Sequence, residues 1–295
     1  MRPIFQWNLG SRVLELGRRT PIMGVVNVTP DSFSDGGLYV DAEKAVIHAE
    51  RLLDEGASII DVGGESTRPG ASEPVSEEEE CRRVLPVIRD LKRRRPDAVV
   101  SVDTHKASVA RAAVELGAEV VNDVSGFRWD PKMPKTLAEL KVGAVLMHTR
   151  GRPEEWRSLP PIGDPVLMVK RDLRQWAEAA TLAGVKRDHL VLDPGFGFGK
   201  RFEENYPLLA HFGELQGMGF PLLAGVSRKS FIGRMLAVVG KHDGDKDAEV
   251  GERLYGTLAA ETALILKGVH IIRTHDVRFA VQAARVADTL VTSGG

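Results

Sequence analysis

At 295 residues the chain can bury a large core, and 40 basic against 41 acidic side chains leave a net charge of −1. That balance gives no general attraction to nucleic acid or to an anionic membrane, so any anion site must be local. Cys81 is the sole cysteine, which excludes an intrachain disulfide and a multi-cysteine metal cage, and no apolar run is long enough to span a bilayer.

Residues 1–19 lack the apolar core of a secretory signal, and a cytoplasmic protein is expected. Containing Phe5, Trp7, Val13 and Leu14, they read as a hairpin-like extension over the floor of a single domain spanning 1–295. A strand is expected from Pro21 to Val28, then a helix with Ala42, Ala45, Val46, Ala49, Leu52 and Leu53 on one face. From there a unit repeats: a helical stretch, a glycine at the helix end, and a β-branched run closing on a polar residue. Gly56 precedes Ala57 to Asp61, Gly117 precedes Ala118 to Asn122, and Gly143 precedes Ala144 to His148. Gly219 leads into Pro221 to Ser227, and Gly268 into Val269 to Arg273. Ala98 to Asp103 and His189 to Asp193 complete eight strands, each apolar on both faces as a parallel sheet requires.

Ser76 and Glu79 form a capping box for the helix that ends in the basic run Lys92 to Arg95, a run that suits a helix C-terminus better than an anion patch. Lys241 to Asp247 reads as a polar surface loop, and Val277, Ala280, Val281, Ala284 and Ala287 mark a last helix. Eight alternating units of this length predict an α/β fold, a (β/α)8 TIM barrel, with a doubly wound open sheet as the alternative.

Polar strand ends of such a barrel converge on one face, here Asn27, Asp61, Asp103, Asn122, His148, Asp193, Ser227 and Arg273. Any one could serve only as a helix cap, and Asp61 and His148 could be structural. The loops from Asn27 to Gly37 and from Gly63 to Gly70 are the longest and the richest in turn formers, and read as substrate-closing lids. Asp193-Pro194-Gly195-Phe196-Gly197-Phe198-Gly199-Lys200 has neither Walker nor dinucleotide spacing; its glycines let backbone and Phe198 approach a flat ligand. Ser227-Arg228-Lys229-Ser230-Phe231 opens a helix whose free N–H groups suit an anion, with Arg68, Arg273 and His275 able to add charge. The eight histidines show no H-x-H or H-x-x-x-H spacing, so a protein-caged zinc is not expected.

In family order, these segments resemble the dihydropteroate synthase family: Met23 to Gly37, Gly64 to Gly70, Ser101 to Thr104, Val121 to Asp123, Asp193 to Lys200, Ser227 to Phe231 and Arg273 to Val277. The resemblance implies a folate-pathway transferase in which p-aminobenzoate displaces pyrophosphate from 6-hydroxymethyl-7,8-dihydropterin pyrophosphate, by dissociative substitution. It implies Mg²⁺ as cofactor, a homodimer, and sensitivity to sulfonamides. It also implies roles: Asp103, Asn122, Val124, Met147, Asp193, Phe198, Gly225, Lys229 and Arg273 around the pterin, with Arg273 stacked on the ring. Asn27, Arg68, Arg273 and His275 would hold the diphosphate, with the metal at Asn27. Phe33, Thr67, Pro69, Lys229 and Ser230 would hold p-aminobenzoate, and Asp103, Lys229 and Arg273 would carry the catalysis. The sequence departs from the family pattern at His148-Thr149-Arg150-Gly151-Arg152-Pro153, whose extra cations bear on loop contacts. Three rival readings remain: a pterin-dependent methyltransferase, which needs no diphosphate clamp; a Schiff-base lyase using Lys229 activated by Arg228; and a silent pterin-binding paralogue.

Overall fold

The computed structural model describes residues 2–28, 37–65, 75–239 and 247–293. A hairpin of β1 (Phe5–Asn8) and β2 (Val13–Leu16) precedes eight parallel strands. These are β3 (Ile22–Asn27), β4 (Ile59–Gly63), β5 (Val99–Asp103), β6 (Val120–Asp123), β7 (Gly143–Met147), β8 (Leu190–Asp193), β9 (Leu223–Ala224) and β10 (Ile271–Thr274). Helices α1 (Gly37–Asp54), α2 (Glu77–Arg94), α3 (Ala107–Glu115), α4 (Met133–Leu140), α5 (Pro165–Leu182), α6 (Asn205–Ala210), α7 (Ser230–Val239), α8 (Leu254–Leu266) and α9 (Val277–Ser293) alternate with them. The ladder runs β8-β7-β6-β5-β4-β3-β10-β9, and a bridge between Leu192 and Leu222 joins its ends into a barrel. A runs-through-both-faces burial, as in Ile59-Ile60-Asp61-Val62-Gly63, follows from helices outside and packed side chains inside.

The barrel floor explains the N-terminal extension. Met23, Ile59, Val99, Val120, Val145, Val191, Leu223 and Ile271, one from each barrel strand, cluster with Trp7, Leu9 and Leu16 of the hairpin segment. Trp7 is fully buried and donates its indole N–H to the His189 carbonyl at 2.8 Å. Val13 is 54% exposed, so the plug is built on Trp7, Leu9 and Leu16, with Phe5 and Leu14 packed against them, and Val13 takes no part. With one end stoppered, a site can open only at the strands' C-terminal end. Trp7→Ala is expected to cost about 3–5 kcal/mol of stability in urea unfolding; a loss below about 1 kcal/mol would deny the plug its role.

Three local expectations change. The seventh strand is reduced to Leu223–Ala224 plus the Leu222 bridge, because Pro221 has no N–H to give the ladder and the chain beyond Ala224 turns to line the cavity described below. Gly143 is not a helix cap: Lys141 holds the left-handed position (φ 56°), and a Cβ at Gly143 would collide with Leu9 and Trp7. Ser76 does accept the Glu79 N–H, but the Glu79 carboxylate turns to Arg82 and Arg83, so the box is half made. The basic run holds no spare anion site, since Arg94 pairs with Glu43 and Glu50 and Arg95 with Asp54, tying α2 to α1.

Candidate active site

Asp103, Asn122, Val124, Met147, Asp193, Phe198, Gly225, Lys229 and Arg273 all line one cavity at the C-terminal end of the barrel, together with Ser227 and His275. The parallel register makes this inevitable for the strand ends. Asp103 pairs laterally with Asn122 and with Gly63, and Met147 with Asp193, so neighbouring strands deliver their last residues at one level.

Arg273 organises the acidic side. Its Nε donates to Asp61 Oδ2 at 2.6 Å and its Nη2 to Asp103 Oδ2 at 2.7 Å. Asn122 donates to the same Asp61 oxygen at 3.0 Å. Asp61 is fully buried and does not line the cavity; it fixes the two residues that do. Burial pushes the Asp103 carboxyl up to about 7, against the pull of Arg273 and with help from Asp61 and Glu80. Before ligand arrives, the carboxyl that the resemblance assigns to catalysis is thus held well above the ordinary carboxylate range. Burial works against the Arg273 guanidinium, but Asp61 and Asp103 more than offset it and raise its pKa.

Asp193 and Lys229 form the other side. Asp193 Oδ1 accepts the Gly195 N–H at 2.7 Å, and burial raises its pKa against the attraction of Lys229. Gly195, Gly197 and Gly199 all hold positive φ, and a Cβ on Gly195 would strike the His148 carbonyl, which is why this turn needs glycine. Lys229 donates to the Phe196 carbonyl and lies 4.4 Å over the Phe198 ring. Burial lowers its ammonium to about 8, with Asp193 opposing. Arg228 is not the cause: it turns outward in a bidentate pair with Asp276, which weakens the Schiff-base reading that invoked it.

The anion end is partly described. Ser227 Oγ accepts the His275 backbone N–H at 3.2 Å and sits 3.0 Å from its Nδ1. Ser230 opens α7 in an exposed position and does not line the cavity, and Asn27 ends β3 half-buried outside the lining. Phe33, Thr67, Arg68 and Pro69 lie outside the described residues, as do most of Lys241 to Asp247. In the divergent loop, Arg150 donates to the Gly199 and Pro160 carbonyls and Arg152 packs over Trp129, so both cations tie the loop to neighbouring segments. His148 is structural, fully buried and stacked on Trp176 at 5.1 Å. Asp61 and Ser227, read from the sequence as polar strand ends converging on this face, do support or line the site, whereas Lys200 was given no role there.

A family model described as "Pterin binding enzyme" matches residues 23–275. The dihydropteroate synthase of Clostridium beijerinckii is 43% identical over 284 residues, covering 96% of this chain and 98% of that protein. A solved dihydropteroate synthase of Xanthomonas albilineans with 4-aminobenzoic acid superposes with a TM-score of 0.86 at 41% identity, covering 99% of both chains. The same enzyme in complex with 7,8-dihydropteroate gives 0.83 at 39% identity, covering 98% of this chain and 99% of that one. With a family model over most of the chain and more than 40% identity across nearly the full length of these relatives, the chain belongs to the dihydropteroate synthase family.

Proposed function

We propose that this chain, acting as one pterin-binding barrel over 1–295, joins the amine of p-aminobenzoate to the methylene of 6-hydroxymethyl-7,8-dihydropterin diphosphate. The products are 7,8-dihydropteroate and pyrophosphate, a step of folate synthesis. One observation carries the reading: carboxylates, an amide and two cations from separate strand ends face a single cavity walled by Met147, Val124 and Phe198. Pterin presents a 2-amino group beside a ring N–H, a donor pair suited to Asp193, whose Oδ1 keeps its lone-pair geometry through the Gly195 N–H. Asn122 and Asp103 meet the other ring nitrogens and Lys229 the ring carbonyl side, with Gly225 allowing close approach. Arg273 is held in its own plane by two carboxylates, which leaves the flat face of the guanidinium for the ring.

Diphosphate is assigned to Asn27, Arg68, Arg273 and His275, and p-aminobenzoate to Phe33, Thr67, Pro69, Lys229 and Ser230. The described residues hold no cluster of three His, Cys, Asp or Glu side chains able to cage a metal. Asn27, which supplies an amide oxygen at the end of β3, would hold a Mg²⁺ whose other ligands would come from phosphate and water. When bound, such an ion would neutralise charge on the departing diphosphate. In the reaction the C–O bond breaks with its electron pair leaving on the diphosphate, and positive charge spreads over methylene and ring. Ionised Asp103 stabilises that charge in a site of low dielectric. The aniline nitrogen then forms the C–N bond and gives its extra proton to water, with no covalent link to the protein.

Titration with the pterin diphosphate followed by turnover with p-aminobenzoate tests the reading; binding without turnover would mark a silent binder. Pyrophosphate release without p-aminobenzoate is expected, slowed about 10²–10³-fold in Asp103→Asn. A trapped pterin–protein adduct would overturn the dissociative course. Because kcat/KM reports the free enzyme, it should fall below about pH 7 as Asp103 gains a proton and above about pH 8 as Lys229 loses one. A profile flat from about pH 6 to 9 would contradict these assignments.

No described helix is long and apolar enough to cross a membrane, and we place the protein in the cytoplasm. We also propose a homodimer. Phe279, Val286 and Leu290 on one face of α9, with Tyr255 on α8, offer exposed apolar surface in its support. Sedimentation at a mass of one chain would contradict it.

A further inference from the structure

The turn that follows Asp193 is gripped from behind by polar side chains that the reaction does not use. Lys200 is 6% exposed, and its ammonium donates to the Gly195 carbonyl at 2.7 Å and to the Phe198 carbonyl at 3.4 Å. Its third neighbour is His148 Nδ1 at 3.0 Å. An ammonium can only donate, so His148 Nδ1 accepts and the ring proton sits on Nε2. That nitrogen lies 3.2 Å from Asp172 Oδ2, at the accessible end of the chain on α5. Burial pushes His148 down to about 3, which keeps the ring neutral with its one proton directed at Asp172.

The opposite side of the turn is held by Lys229 on the Phe196 carbonyl. The carbonyls of residues 195, 196 and 198 are therefore drawn onto two ammonium groups. Gly195 and Gly197 spend their N–H groups on Asp193 and on Asn205. Three acceptors around Lys200 use all three protons of an ammonium, where a neutral amine would leave one acceptor unmet. Burial, Lys229 and Arg150 pull the Lys200 pKa well down, while Asp193 and Glu204 oppose them.

We propose that Lys200, backed by His148 and Asp172, is a positioning residue that fixes the 195–198 turn and, through Gly195, aims the Asp193 carboxylate at the pterin. The proposal rests on the pterin reading above. Lys200 touches no substrate, so its effect falls on one substrate and not the other.

Lys200→Met keeps the side-chain length and removes the donors. It should raise the dissociation constant for 6-hydroxymethyl-7,8-dihydropterin diphosphate about tenfold or more and leave KM for p-aminobenzoate within about twofold. In substrate-free protein, amide exchange at Gly195, Gly197 and Phe198 should quicken about tenfold or more. Unchanged pterin affinity in the folded variant, or equal losses for both substrates, would overturn the proposal. If Lys200→Met does not fold, Asp172→Asn decides: about threefold weaker pterin binding with faster exchange in the turn supports it, and wild-type values on both overturn it. The exchange measurement needs no ligand. A wild-type protein that binds no pterin therefore sinks the functional reading, while the exchange result still upholds or refutes the clamp.

Discussion

Asp193→Asn is expected to lower kcat/KM for the pterin diphosphate by about 10²–10⁴-fold without unfolding the protein. The amide oxygen can still accept the Gly195 N–H, so the turn beyond it keeps its anchor. What changes is the other atom of the side chain, which becomes an N–H donor facing a donor pair on the ligand. Two charge-assisted bonds are lost and like groups are opposed in a buried site, which sets the size of the effect. Because the loss is one of recognition, it should appear in direct titration as well as in turnover. Asp193→Asn with near-normal pterin affinity would show that the ring edge is read elsewhere.

Arg273→Met should be the most damaging single change to both stability and activity. The guanidinium is the bridge between Asp61, which is fully buried, and Asp103, which lines the cavity, so its removal leaves two carboxylates in one site without their paired cation. Breaking a buried pair in this way costs about 3–5 kcal/mol. Arg273 is also the group that holds the Asp103 pKa down against burial, so the variant's Asp103 titrates above its normal value of about 7. The sign follows: a carboxyl raised in the folded state contributes stability fully below its unfolded pKa of about 4, and that contribution is lost as pH rises through the folded value. The variant is therefore expected to be least impaired in acid and most impaired above neutrality, and any residual activity should have its acid limb displaced upward. Adding Asp61→Asn should restore part of the stability and none of the activity. Equal destabilisation from about pH 4 to 9 would contradict the ion-pair account.

Much of this was legible in the sequence, for reasons that differ by element. The strands announced themselves because a barrel strand is apolar on both faces and closes on a polar residue. Asp103, Asn122 and Asp193 were therefore visible before their register was known. The glycines of Asp193 to Lys200 carried their own geometry, since positive φ at Gly195, Gly197 and Gly199 is what that spacing permits. What was missed depends on partners distant in sequence. Asp61 looks like any helix-capping aspartate until Arg273, over two hundred residues away, is seen against it. Lys200 read as the tail of a failed phosphate motif, because its His148 and Asp172 partners come from another βα unit. Gly143 was assigned to a helix end because nothing local reveals that the N-terminal plug presses on it. The Asp103 charge state belongs to the same class: composition shows an acid, and only burial among other acids moves its titration to neutrality.

Diffraction from crystals soaked with 6-hydroxymethyl-7,8-dihydropterin diphosphate tests the shared pocket most directly. The pterin ring should lie between Met147, Phe198 and Arg273, its amino and N–H edge on Asp193 and its diphosphate toward His275. Density for the ring outside that cavity, or an Asp193 carboxylate left unengaged beside a bound ring, would contradict the account.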